Sequence, residues 1–378
     1  MKNQAHVAIL IITSARRLSE QLFRTCMASL IGLALASVTL AVCGVDRAPE
    51  NYSKSIVTYY QTTQATTPFD SRCSYVSFPG TGVLCRISLR GVLYRPLTAS
   101  PDASGRYPAI IMNHGSGALF PAISMFCEIA NYFAPRGYIV FVPFRRGQGD
   151  QNRIQDRSTG VYVDDLIQDW QSANPIYPHT TQCTDGKCYR VELFKEQADE
   201  DVAAALEYLK GRSDVKYDWH WENGVVIDRY NIGVFGNSYG GAVTVLFNRL
   251  QHDHLAAVAF SPGSQQFADL SCQPYDVTCQ TPMQKALMDA ARNAKKPAYY
   301  LQAKWDFDTR PTIDLAWAHA YGSPDPSHSR GWAAQIFPYT NPCIDGVCDY
   351  QSIHEGFIRD PAVWGNSVHD FLRRRGVK

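Results

Sequence analysis

An α/β fold, with a mostly parallel sheet covered by helices on both faces, is predicted by three features of the sequence. Short continuous apolar runs alternate with one-sided helical stretches along most of the chain, the pattern of repeated strand–helix–strand units. Two of the runs, Ala109-Ile110-Ile111-Met112 and Tyr138 to Val142, lack a polar face, as expected of strands buried on both sides in a parallel sheet. A third run, Asn231 to Phe235, leads through Gly236-Asn237-Ser238-Tyr239-Gly240 into a helical stretch, Ala242 to Leu250. The pentad Gly-x-Ser-x-Gly therefore falls on a strand-to-helix turn.

The remaining elements follow in order. Residues 1–43 read as a leader, residues 44–80 as a polar, irregular segment, and residues 81–378 as the α/β domain. Val83 to Tyr94 reads as paired strands, and Ile123 to Phe133 as a helix. Residues 194–209 place Phe194, Ala198, Val202, Ala205, Leu206 and Leu209 on one helical face. After the serine turn come a strand at Ala256 to Phe260, a helix near Met283 to Ala294, and strands at Ala298 to Ala303 and Ala333 to Phe337. A final helix spans about Pro361 to Arg374. Residues 150–192 and 213–226 interrupt this rhythm; both are loop-like and aromatic, with Tyr162, Trp170, Tyr177, Trp219 and Trp221. They read as insertions, either a cap over a site or peripheral decoration.

The chain of 378 residues suits one large α/β domain or two small ones. Its net charge of +1 leaves no electrostatic footprint for nucleic acid. At the N-terminus, the apolar run Met27 to Val42 follows Arg16, Arg17 and Arg24. It is short for a spanning helix and fits the apolar region of a signal peptide. Cys43 follows Leu40-Ala41-Val42, which resembles a lipoprotein cleavage box, so a lipid anchor at Cys43 and a plain cleaved signal both stand, beside a retained membrane anchor. Either form of export places the protein in the periplasm, at the outer membrane or outside the cell. Eight of the 11 cysteines fall in local pairs: Cys73 with Cys85, Cys183 with Cys188, Cys272 with Cys279, and Cys343 with Cys348. In CTDGKC and CIDGVC the central Asp-Gly favours a two-residue hairpin that brings the flanking cysteines face to face. Disulfides are predicted, which require an oxidising compartment; C-x4-C is a poor zinc spacing. Cys26 and Cys43 belong to the leader, and Cys127 is left over and reads as a buried inert thiol.

A serine hydroxyl is a weak nucleophile and needs a base, itself oriented by an acid. In an open α/β scaffold these come in the order Ser, Asp/Glu, His. Ser238 is the candidate nucleophile. Asp306, just past the strand ending at Ala303, is the candidate acid, with Asp308 the alternative. His354, after the last strand and before the last helix, is the candidate base. His252 and His254 sit where solvated residues are expected. The oxyanion donors are expected to be the amides of Tyr239 and Ser116, with Gly117 next, because the loop Asn113-His114-Gly115-Ser116-Gly117 is small and glycine-rich where backbone must approach substrate. Neither a metal nor an organic cofactor is needed for this chemistry.

With these motifs in hand, the chain resembles the α/β-hydrolase superfamily and, within it, the dienelactone-hydrolase-like group. The resemblance is carried by NHGSG at 113–117, FRRGQG at 144–149, EQADEDVAAALEYLK, GNSYGG, QAKWDFDTRP and HEGF…VWGNSVHDFL, and runs from about residue 83 to 374. It implies an eight-stranded, mostly parallel sheet, hydrolysis of ester-type small molecules, and a triad of Ser238, Asp306 and His354. Two departures stand out. The dienelactone hydrolases use a cysteine nucleophile where this chain has Ser238. Their histidine precedes the closing phenylalanine by two residues, whereas His354 precedes Phe357 by three. Ser-Tyr-Gly-Gly also resembles the prolyl-oligopeptidase group, so a serine peptidase is the second expectation, and a non-catalytic binding protein on the same fold the third.

Overall fold

The computed structural model describes residues 52–64, 74–78, 82–115, 126–145, 191, 194–222, 225–250, 252–263, 282–306, 309–322, 332–339 and 350–378. Its strands are β1 (Tyr52–Gln64), β2 (Ser74–Phe78), β3 (Gly82–Pro96), β4 (Ala109–Asn113), β5 (Ile139–Pro143), β6 (Tyr217–Glu222), β7 (Val225–Tyr230), β8 (Ile232–Asn237), β9 (Ala256–Phe260), β10 (Ala298–Ala303) and β11 (Trp332–Phe337). Its α-helices are α1 (Cys127–Phe133), α2 (Ala203–Lys210), α3 (Tyr239–Phe247), α4 (Pro282–Arg292), α5 (Arg310–Tyr321), α6 (Tyr350–Arg359) and α7 (Pro361–Arg374). A π-helical stretch, Gln197–Val202, runs directly into α2.

Eight strands lie side by side in the order β1-β3-β5-β4-β8-β9-β10-β11, with β2 paired to β3. From β5 to β11 every neighbouring pair is parallel; β1, β2 and β3 form the antiparallel edge. This is the α/β-hydrolase architecture that the sequence predicts. The central parallel strands are buried along their whole length: all of Ala109–Asn113, Ile139–Pro143, Ile232–Asn237 and Ala298–Ala303. Successive residues point to opposite faces. Val234 and Ile111 pack with Val202 and Leu206, Val243 and Leu246, Leu287 and Leu315, so α2, α3, α4 and α5 cover one face. On the other, Phe235 meets Phe133 of α1 at 5.6 Å between ring centres, and Phe260 meets the fully buried Trp364 of α7 at 4.6 Å.

Three readings are corrected. Residues 44–80 are not wholly irregular: Tyr52–Gln64 is a 13-residue strand in register with β3, and Ser74–Phe78 is a second strand. The polar look of β1 comes from its place at the sheet edge. It buries Tyr52 and Tyr59 and leaves Ile56 and Tyr60 to solvent. Val83 to Tyr94 is one continuous strand rather than a pair. Gly91 within it serves close packing: a Cβ on it would stand 2.4 Å from the Phe141 ring. Residues 213–226 are not a loop, since β6 and β7 form an antiparallel hairpin closing at Glu222↔Val225. The signal was present in Asn223-Gly224, the preferred pair for a two-residue hairpin turn. The other insertion, 150–192, lies outside the described residues except for Val191, and the leader lies outside them entirely.

His254 is also corrected: it is fully buried, and its Nε2–H donates to Asn248 Oδ1 at 3.0 Å. Burial holds its pKa, and that of the equally buried His114, well below the ordinary 6.5. Both are therefore neutral in the fold, whereas in the unfolded chain each takes a proton as pH falls through 6.5. Their contribution to stability is complete above pH 6.5 and declines below it, by about 1.4 kcal/mol per unit for each group. Unfolding in denaturant at pH 7 and pH 5.5 is expected to differ by about 2–3 kcal/mol from these two residues. Replacing His254 with glutamine should roughly halve the difference; an unchanged pH dependence would contradict a neutral buried His254.

Candidate active site

The chain passes from β4 to β5 on one side, then crosses over β4 to β8 and continues outward through β9, β10 and β11. The carboxyl ends of β4 and β8 therefore meet where the strand order reverses, the place where open α/β sheets bind their ligands. Ser238 follows β8 there. Its backbone adopts φ 54 and ψ −115, and it caps α3 without a side-chain cap bond. A non-glycine residue in this conformation is strained, and such strain gathers at functional sites. Its amide donates to Phe260 O at 2.9 Å, tying the turn to the end of β9.

The flanking glycines are sterically required. A Cβ on Gly236 would stand 2.0 Å from Gly240 O, and one on Gly240 would stand 2.1 Å from Asn113 O and 2.4 Å from His114 O. The first turn of α3 thus lies directly on the backbone leaving β4. Gly240→Ala is expected to cost about 3 kcal/mol or more, read as a lowered denaturation midpoint or loss of soluble protein. A variant as stable as the parent would contradict this close approach.

The structure brings Asp306 and His354 together. His354 Nδ1 lies 2.8 Å from Oδ1 and 2.9 Å from Oδ2 of Asp306, and both residues are buried. Facing a carboxylate, Nδ1 carries the proton and donates, which leaves Nε2 as the lone-pair nitrogen. Asp306 turns off the end of β10, and its amide donates to Ala303 O at 3.2 Å. His354 sits within α6, after β11 and before the last helix α7, where the sequence order places it. Ser238 and Asp306 follow strands two apart, a separation of roughly 10 Å at about 4.8 Å per strand, the span that an imidazole and two side chains bridge.

The sequence reading missed Ser261. It follows β9, between the serine turn and Asp306, with φ 47. Its hydroxyl donates to Asp306 Oδ2 at 2.5 Å, and its amide donates to Leu301 O at 2.7 Å. Its only sequence signal is its position, immediately after the strand next to the nucleophile strand.

On the β4 side, a Cβ on Gly115 would stand 3.6 Å from the Cβ of Ser238, so this loop borders the serine. Asn113 Nδ2 donates to Thr244 Oγ1 of α3 at 3.0 Å. Tyr239 opens α3, where amides have no acceptor within the helix; its ring is buried and lies 3.7 Å, centre to centre, from that of Phe194. Ser116, Gly117 and the alternative acid Asp308 lie outside the described residues. Among the described residues, no group of three or more His, Cys, Asp or Glu could hold a metal, and no helix is long and apolar enough to cross a membrane.

Cys127, expected as a free thiol, is buried and disulfide-bonded. Pairing by sequence proximity cannot find a distant partner. Cys85 lies in β3, but its side chain, like Cys73, Cys183, Cys188, Cys272, Cys279, Cys343 and Cys348, lies outside what the structure describes.

No protein-family model matches the chain, and no curated protein matches it. Among solved structures it is similar to an acylaminoacyl peptidase of Pyrococcus horikoshii, at 15% identity over 86% of this chain and 42% of that one, with a TM-score of 0.48. It is also similar to the Pyrococcus furiosus esterase Pf2001, at 15% identity over 82% and 96% of the two chains with a TM-score of 0.43. A cold-adapted esterase from an Arctic intertidal metagenomic library matches at 15% identity over 88% and 97%, with a TM-score of 0.42. The chain spans less than half the length of the peptidase. The strand order and the serine turn establish independently of these likenesses that the chain has the α/β-hydrolase fold.

Proposed function

We propose that the protein is an exported serine hydrolase that cleaves carboxylic esters through an acyl-enzyme. The observation that carries the reading is the buried His354–Asp306 pair, hydrogen-bonded through Nδ1 to both carboxylate oxygens, two strands from a serine held in a strained strand-to-helix turn. In this mechanism Ser238 Oγ attacks the ester carbonyl carbon while His354 Nε2 takes its proton. Asp306 holds the imidazole with its proton on Nδ1 and stabilises the imidazolium that forms. The amides of Tyr239 and Ser116 receive the oxyanion. His354 then returns the proton to the leaving alcohol, and the C–O bond of the ester breaks. Water attacks the acyl-enzyme with His354 again as base, releasing the acid and restoring Ser238.

Export is supported by the apolar leader with its preceding arginines and by the disulfide at Cys127, since disulfides persist in oxidising compartments. Attachment to a membrane through the leader or an acylated Cys43 belongs to the same proposal. The test is hydrolysis of p-nitrophenyl esters of rising acyl length by purified, disulfide-intact protein, with fluorophosphonate labelling of Ser238 alongside. Turnover with labelling supports the esterase. Turnover of peptide p-nitroanilides with none of the esters would make it a peptidase. Folded protein that neither labels nor turns over would be a non-catalytic member of the fold.

A further inference from the structure

We infer that Arg145 is a positioning residue that fixes the Tyr239 oxyanion donor against the loop leaving β4, a reading that rests on the proposed serine-hydrolase site. Arg145 stands just past β5 in the FRRGQG motif and is completely buried. A buried guanidinium is retained only where its environment compensates for the lost water. Here its Nη2 donates to His114 O at 2.6 Å, and its Nε donates to the buried Gln197 Oε1 at 3.2 Å. Its guanidinium carbon lies 5.1 Å from the centre of the Tyr239 ring, within cation–π range. Burial lowers its pKa to about 10, with Tyr239, Asp201 and Tyr59 acting against the shift, so it remains a cation at neutral pH.

The consequence lies in what these contacts orient. His114 precedes Gly115, and its Nδ1 is 2.8 Å from Gly115 O but 3.5 Å from Arg145 Nη2. The shorter contact requires the proton on Nδ1, donated to the Gly115 carbonyl. Burial first, then the charge of Arg145, keeps His114 neutral. Arg145 and His114 together thus fix the backbone of this loop as far as Gly115, which borders Ser238. The same guanidinium lies against Tyr239, whose amide is the proposed donor, so one side chain ties that donor's turn to the loop leaving β4. Gln197 anchors it from the start of the π-helical stretch, a distortion frequent at functional sites.

Arg145→Lys keeps the cation but lacks the planar fork that spans His114 O and Gln197. Removing one oxyanion donor outright costs about 10²–10³ in kcat; misplacing donors should cost a part of that. In folded Arg145→Lys, kcat is expected to fall about 30- to 100-fold with KM within about twofold. Affinity for a boronic acid, which forms a tetrahedral adduct, should fall in parallel, and amide exchange should quicken in peptides covering 109–117 and 239–247. Folded Arg145→Lys with parental kcat and parental exchange would overturn the proposal. If Arg145→Lys does not fold, Gln197→Leu carries the test: the same pattern at lower amplitude supports the proposal, and parental kcat and exchange overturn it. If the parent hydrolyses no ester, the esterase reading falls, and exchange alone decides whether Arg145 holds the loop.

Discussion

Ser238→Ala is expected to lower ester turnover by about 10⁴- to 10⁶-fold, with the fold intact. The hydroxyl oxygen is the only atom removed, and in the proposed mechanism it is the atom that bonds the acyl carbon. What remains is attack by water assisted by the oxyanion donors, which accounts for residual catalysis when a triad nucleophile is lost. The strained backbone supplies an internal control. At φ 54 and ψ −115 alanine bears the same steric cost as serine, whereas glycine bears little. Ser238→Gly should therefore be as inactive as Ser238→Ala but more stable, by about 1–2 kcal/mol in denaturant unfolding. A turn kept for its hydroxyl predicts this split between activity and stability. Equal stability of the two variants would mean that the turn stores no strain. Retention of ester turnover in Ser238→Ala would remove Ser238 from the nucleophile role.

How much of this was legible in the sequence depended on whether a residue's partner was near in the chain or announced by residue type. The parallel core was legible because Ala109–Met112 and Ile139–Val142 are buried on both faces, and such strands contain no polar alternation to misread. The pairing of Asp306 with His354 was legible from chemistry and order: a candidate acid and base are sought after the candidate nucleophile, later in the chain. β1 was illegible by hydrophobicity because an edge strand shows solvent one of its faces; its β-branched and aromatic composition was the better guide. Ser261 and Arg145 were illegible for a different reason. Each acts through a residue far along the chain, Asp306 for one and His114 for the other, and no local pattern encodes such a contact. Cys127 failed likewise, because proximity pairing prefers near neighbours.

Asp306→Asn should be the second largest loss, about 10⁴-fold in kcat. Both carboxylate oxygens lie within 2.9 Å of His354 Nδ1, so the amide that replaces one of them can face the ring. An N–H in that position needs an acceptor on Nδ1, which moves the imidazole proton to Nε2 and leaves no lone pair to take the serine proton. The variant also has no negative charge to stabilise the imidazolium. Ser261→Ala removes far less: the carboxylate keeps its charge and both contacts to His354, and loses only the hydroxyl donated to Oδ2. A fall of about 10-fold is expected, the scale of one charge-assisted hydrogen bond at about 1.5 kcal/mol. If Ser261 acts through Asp306, the two effects cannot add. Ser261→Ala should cost about 10-fold in the parent and close to nothing in the Asp306→Asn background, a coupling that a double-mutant cycle reads directly. Equal costs in both backgrounds would mean that Ser261 influences turnover by another route, through its own strained backbone at φ 47 and the position of the strand end that it shares with the Ser238 turn.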